Sequence, residues 1–119
     1  MIVTVIYPSD GSHEKSRIEY TVNVSDNVSY ENALEEAWRL ANFVMDTDLP
    51  VFQGYAKANG VEMVRSAMVG DVFVAAGRYW VCDNVGFSEM TPEDIAKWVS
   101  LPSTNRLLGV KYCKQLKYI

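Results

Sequence analysis

Few side chains in this 119-residue chain could do chemistry, and their spacing limits what each could do. Asp71 and Asp83 bracket one short apolar segment, and Asp46 and Asp48 form a second acidic pair. Two carboxylates sharing a site a few ångströms across could act as the acid and base of a hydrolase. The spacing does not predict such a site. A hairpin centred on Ala76-Gly77 sets Asp71 opposite Cys82, so Asp83 lies one step further and faces the other side. Asp71 follows Gly70 and reads as a turn residue bonding backbone amides, and Asp83-Asn84 with Gly86 reads as the turn after the strand. Cys82 and Cys113 are the only cysteines, and neither has a second thiol at CxxC spacing. They are expected as reduced core residues, with a single disulfide between them as the alternative. His13, the only histidine, falls in a polar loop, which leaves nothing for a histidine metal cluster or a Ser-His-Asp triad. There is no phosphate-binding glycine loop, HExxH or GxSxG. The sequence therefore predicts no catalytic residue, no metal site and no cofactor.

The elements that would position these residues are legible. Residues 2–7 are β-branched and aromatic, and Pro8-Ser-Asp-Gly ends the run. Residues 18–24 alternate, with Ile18, Tyr20, Val22 and Val24 on one face, so residues 2–24 read as a hairpin with a long polar tip. Ser29 caps a helix whose apolar stripe runs through Leu34, Ala37, Trp38, Ala41, Val44 and Met45, with Trp38 expected as a core anchor. Glu31, Glu35, Glu36 and Arg39 occupy its wet side. Asp46 to Pro50 closes that helix. Residues 51–55 are a candidate short strand, Asn59-Gly60 a turn, and residues 61–69 ambiguous. In the segment Gly70 to Asp83 the Ala76-Gly77 turn pairs Val74 with Tyr79, Phe73 with Trp80 and Val72 with Val81. Both faces of that hairpin are apolar, so something must cover the second face: a helix, a second copy or a partner. Thr91-Pro92 opens a second helix with Ile95, Trp98 and Val99 on its apolar side, and Leu101-Pro102 ends it. Residues 107–118 read as a last strand. The predicted class is α+β, one domain over residues 1–119, a mainly antiparallel sheet with two α-helices in the order β-β-α-(β)-β-β-α-β.

Eleven basic residues against fifteen acidic ones give a net charge of −4. Residues 1–62 hold four basic and ten acidic side chains, a net of −6, and residues 63–119 hold seven and five, a net of +2. From Arg106 on there is no acid, only Arg106, Lys111, Lys114 and Lys117. That reads as a lysine-guarded strand edge, or else as an anionic contact. The overall sign disfavours a general nucleic-acid binder. No signal peptide or membrane span is expected, which suggests a cytoplasmic protein.

The segment Val69-Gly70-Asp71-Val72, a hairpin with Tyr79 or Trp80, then Cys82-Asp83 and Gly86-Phe87 resembles the YodL-like module of small phage and mobile-element accessory proteins. The likeness covers residues 63–90, and Ala67-Met68 depart from the usual serine-rich lead-in. It implies origin more than activity, since such proteins mostly lack assigned chemistry. The expectation is a non-enzymatic phage or mobile-element accessory protein that binds, and modulates or inhibits, a host or phage protein. Phe73, Arg78 and Trp80 are its expected contact residues, because arginine beside exposed aromatics is common at interfaces. The acidic helix face would steer it toward a basic partner. One alternative is a small RNA-binding module of PUA-like type, stacking bases on Tyr79 and Trp80. Others are a small enzyme with a pocket around Asp71, Asp83 and Tyr79, and a homo-oligomer that covers the second hairpin face itself.

Overall fold

The computed structural model describes residues 1–8, 18–42 and 67–117. Five antiparallel strands form one sheet: β1 (Ile2–Tyr7), β2 (Ile18–Asn23), β3 (Val72–Ala75), β4 (Arg78–Cys82) and β5 (Phe87–Met90), in the order β2-β1-β3-β4-β5. Among the described residues four helices accompany it: α1 (Tyr30–Ala41), α2 (Pro92–Ser100), α3 (Ser103–Arg106) and α4 (Val110–Gln115). The class is α+β, as the sequence predicts.

Side chains alternate across each strand, so the sheet sorts its apolar residues into two layers. Val3, Val5, Tyr7, Val22, Phe73, Ala75 and Cys82 pack with Ala33, Leu34, Ala37 and Ala41 of α1. Ile6, Val72, Val81 and Met90 pack on the opposite face with Ile95 and Trp98 of α2 and Val110 and Cys113 of α4. The polar side of β2 stays wet, with Thr21 and Asn23 exposed. Cys82 and Cys113 thus belong to cores on opposite faces, and both are free thiols.

Local signals hold where they were strong. Ser29 Oγ accepts the Asn32 amide at 3.2 Å, and Thr91 Oγ1 accepts the Asp94 amide at 3.2 Å, so each hydroxyl caps its helix. The β3–β4 register is the expected one, Val72 with Val81, Phe73 with Trp80 and Val74 with Tyr79. Ala76 and Gly77 both take positive φ, 48° and 76°, the geometry of a type I′ turn. The β1–β2 pairing is also as expected, with Val3 against Val22 and Tyr7 against Ile18.

Three expectations are corrected, and one strand is added. Residues 107–118 are not a strand: within them Val110 and Cys113, three apart, point inward from the short helix α4. With the further short helix α3, the described residues hold four helices rather than two. The turn at Asp83–Gly86 leads into β5, which pairs with β4 through Cys82 and Phe87. Trp38 is not a core anchor but 40% exposed. Of the covers expected for the second hairpin face, the structure supplies a helix: α1 lies on one face and α2 with α4 on the other. The candidate strand at 51–55, the Asn59-Gly60 turn, most of 61–69, Val44, Met45, Asp46, Asp48 and His13 lie outside the described residues.

Candidate functional site: a cleft beside Trp38

Asp83 organises the end of β4. Its Oδ1 accepts the Asn84 amide at 2.8 Å and the Val110 amide at 3.1 Å, while Ser88 Oγ donates to its Oδ2 at 2.8 Å. Asn84 Nδ2 donates to the Leu108 carbonyl at 2.9 Å. The β4–β5 turn is thereby tied to the start of α4. Gly109 makes this approach possible: a Cβ there would lie 2.6 Å from Asp83 Oδ1 and 2.4 Å from Asn84 Nδ2, and its φ is 94°. Asp71 does the turn work its position predicts, with Oδ2 accepting the Met68 amide at 2.8 Å. Both carboxylates are buried and committed to amides and a hydroxyl, which is an architectural use rather than that of a general acid–base pair.

Arg106 is also spent on the fold. It is 5% exposed, and its Nη1 donates to the Leu101 carbonyl and, at 3.4 Å, to that of Val99. This places a cation at the end of α2, where the helix dipole favours one. The exposed positive charge at this end of the described chain is therefore Lys111, Lys114 and Lys117.

Between α1 and the β4–β5 turn lies a cleft of about 860 Å³. α1 gives one wall, with Trp38 and the carboxylates of Glu35 and Glu36. Residues 67–69 give the floor, held against the end of α1 by the Ala67 amide donating to the Ala41 carbonyl at 3.1 Å. Cys82, Asn84 and Phe87 also line it. Two large apolar side chains on its lining are open to solvent, Trp38 at 40% and Met68 at 44%. Glu36 is held toward Ser25, whose amide and hydroxyl donate to it at 3.3 Å. Among the described residues three carboxylates, Glu35, Glu36 and Asp83, line the cleft against one guanidinium, Arg39, so this part of the lining is acidic.

Cys82 lines the cleft as a thiol, not a thiolate. Burial, then the negative fields of Asp71 and Asp83, push it up to about 11, while a hydrogen bond with Trp38 works the other way. At neutral pH it is a poor nucleophile. Among the described residues no group of three His, Cys, Asp or Glu side chains could hold a metal ion, and no helix is long and apolar enough to cross a membrane.

The three contact residues expected from sequence do not form this cleft. Phe73 is fully buried, edge-on to Phe87 with ring centres 5.2 Å apart, so its ring offers a partner nothing in this fold. Trp80 is half-buried and tilted against Tyr30 at 5.9 Å. Arg78 lies over both rings, 4.6 Å from Tyr30 and 5.0 Å from Trp80, and pairs with Glu89. Glu89 foremost holds the Arg78 guanidinium above its usual range. Arg78 is thus the lid of an aromatic cluster, packed within its own chain. Sequence reasoning missed Trp38 and Met68 as surface residues. An angular count along α1 would have flagged Trp38, because it stands at the rim of the buried arc and not at its centre.

No protein-family model, curated protein or solved structure matches the chain. The likeness of residues 63–90 to the YodL-like module therefore stands on its own residues alone.

Proposed function

We propose that the chain is a non-enzymatic binding factor that docks a protein in the cleft beside Trp38. The observation that carries this is the pairing of exposed Trp38 and Met68 with an acidic lining. Tryptophan and methionine left half-open at a concave site suit an apolar anchor from a partner. Glu35 and Glu36 suit flanking lysine or arginine on that partner, and would speed its approach. The commitment of Asp71 and Asp83 to structural bonds, and the protonated state of Cys82, favour binding over catalysis. The acidic rim and the net charge of −4 disfavour a phosphate backbone in this cleft. The likeness to the YodL-like module supports an accessory role in a phage or mobile element, acting on a host or phage protein in the cytoplasm.

Met68→Lys tests the reading, because it replaces an exposed apolar contact with a charge that repels a basic partner. Met68 holds the adjoining turn through its backbone, its amide donating to Asp71 Oδ2 and its carbonyl accepting the Asp71 amide, so a change of side chain should leave the melting temperature in place. Affinity capture from host lysate with wild type and variant side by side should recover a protein that the variant loses by tenfold or more. Equal recovery from both would remove the cleft from the binding site.

A further inference from the structure

A second exposed apolar surface lies on α4, beside the cleft. Tyr112 and Leu116, four residues apart on α4 and its C-cap, share one face, while Leu108 precedes the helix across Gly109, whose φ of 94° interrupts the helical spacing; each of the three is 46–47% exposed. Lys111 and Lys114 are exposed on the same short helix and Lys117 just after it, and no acid side chain occurs after Asp94. A basic apolar ridge is the chemistry that the acidic apolar cleft calls for.

We propose, building on the cleft as a protein-docking site, that one of its occupants is the α4 ridge of a second copy of this chain. The cleft and α4 are neighbours through the β4–β5 turn: Asp83 and Asn84 line the cleft and also bond Val110 and the Leu108 carbonyl. Two surfaces that adjoin in this way can engage reciprocally about a two-fold axis near the turn. Each copy then sets its ridge in the other's cleft, and the contact closes as a dimer instead of propagating. Val85 at the tip of the turn, 85% exposed, would sit close to that axis. The exposed side chains of α4 with Trp38 and Met68 make a contact at the small end of specific interfaces, so the pairing is expected to be weak and concentration-dependent. A foreign partner of the cleft would compete with this pairing, so self-association would set how much cleft is free.

Charge reversal tests the pairing in the purified full chain. Glu35→Lys and Lys111→Glu each set like charges across both contacts of a like pair. A mixture of the two variants sets opposite charges across both contacts. Wild type should sediment as a species of twice the 13.4 kDa chain mass. Each variant alone should dissociate at a concentration at least tenfold higher, and the equimolar mixture should regain wild-type behaviour. A wild type that stays monomeric at all concentrations, or a mixture no tighter than its parts, would overturn the self-pairing. If the wild type is monomeric while Met68→Lys still abolishes capture from lysate, the self-pairing falls and the docking cleft stands. If the mixture pairs but Met68→Lys captures as wild type does, a foreign partner in the cleft is what falls.

Discussion

Removing the Asp83 carboxylate should be among the most damaging single changes at the edge of the cleft. Asp83→Ala deletes the acceptor for the Asn84 amide, the Val110 amide and the Ser88 hydroxyl at once. Hydrogen bonds to a charged group contribute about 1.5–3 kcal/mol each, and a buried amide left without an acceptor costs about 1–3 kcal/mol. The Val110 amide is the buried one, whereas Asn84 is exposed and Ser88 half-exposed, so water can replace part of their loss. The net cost should be about 3–4 kcal/mol, a fall in Tm of roughly 10–15 °C for a domain of this size. Asp83→Asn keeps an oxygen for both amides, and the Ser88 hydroxyl can reverse to accept from the new amide. That variant should lose only about 1 kcal/mol. Thermal and urea denaturation followed by circular dichroism would measure both. Alanine and asparagine variants melting together, or an alanine variant within two degrees of wild type, would refute the account of Asp83 as the tie between β4–β5 and α4.

Two further outcomes follow from the same structure. The Cys82 thiol, pushed from 9.0 to about 11, holds its proton more tightly folded than unfolded, so its contribution is full below pH 9 and is lost as pH rises toward 11. At pH 11 the folded thiol is half ionised, so urea denaturation at pH 8 and pH 11 should show wild type losing about 2 kcal/mol more than Cys82→Ala; parallel losses would contradict the buried-thiol assignment. Ala76 sits at φ 48° in a turn that prefers asparagine followed by glycine, so Ala76→Asn should raise stability by about 0.5–1 kcal/mol, visible as a Tm gain of a few degrees.

What the sequence made legible was decided by short-range chemistry. The caps at Ser29 and Thr91 and the Ala76-Gly77 turn depend on residues within four positions of one another, and all three formed as expected. α4 was misread because six residues hold too little periodicity to separate helix from strand. Val110 and Tyr112 suggest alternation, yet the buried pair is Val110 and Cys113. Trp38 was misread because its stripe was taken as one continuous face. The buried residues Ala33, Ala37, Ala41 and Leu34 span an arc whose centre lies about 90° from Trp38 at roughly 100° per residue. The cleft itself was invisible, since its walls come from residues 32–39, 67–69 and 82–87, and the packing of α1 on the sheet and the β4–β5 pairing that join them to the β3–β4 hairpin are long-range or absent from local signals. The doubly apolar hairpin was noticed correctly, but the helices that cover its second face are two short elements after residue 91, one of them read as a strand.

The docking claim is tested most directly by placing a photo-crosslinking amino acid at position 68, on the cleft, and at position 96, an exposed position on α2. Irradiation in cells should give a discrete covalent adduct with a protein from position 68 and none from position 96. The same adducts from both positions, or none from position 68, would contradict the account.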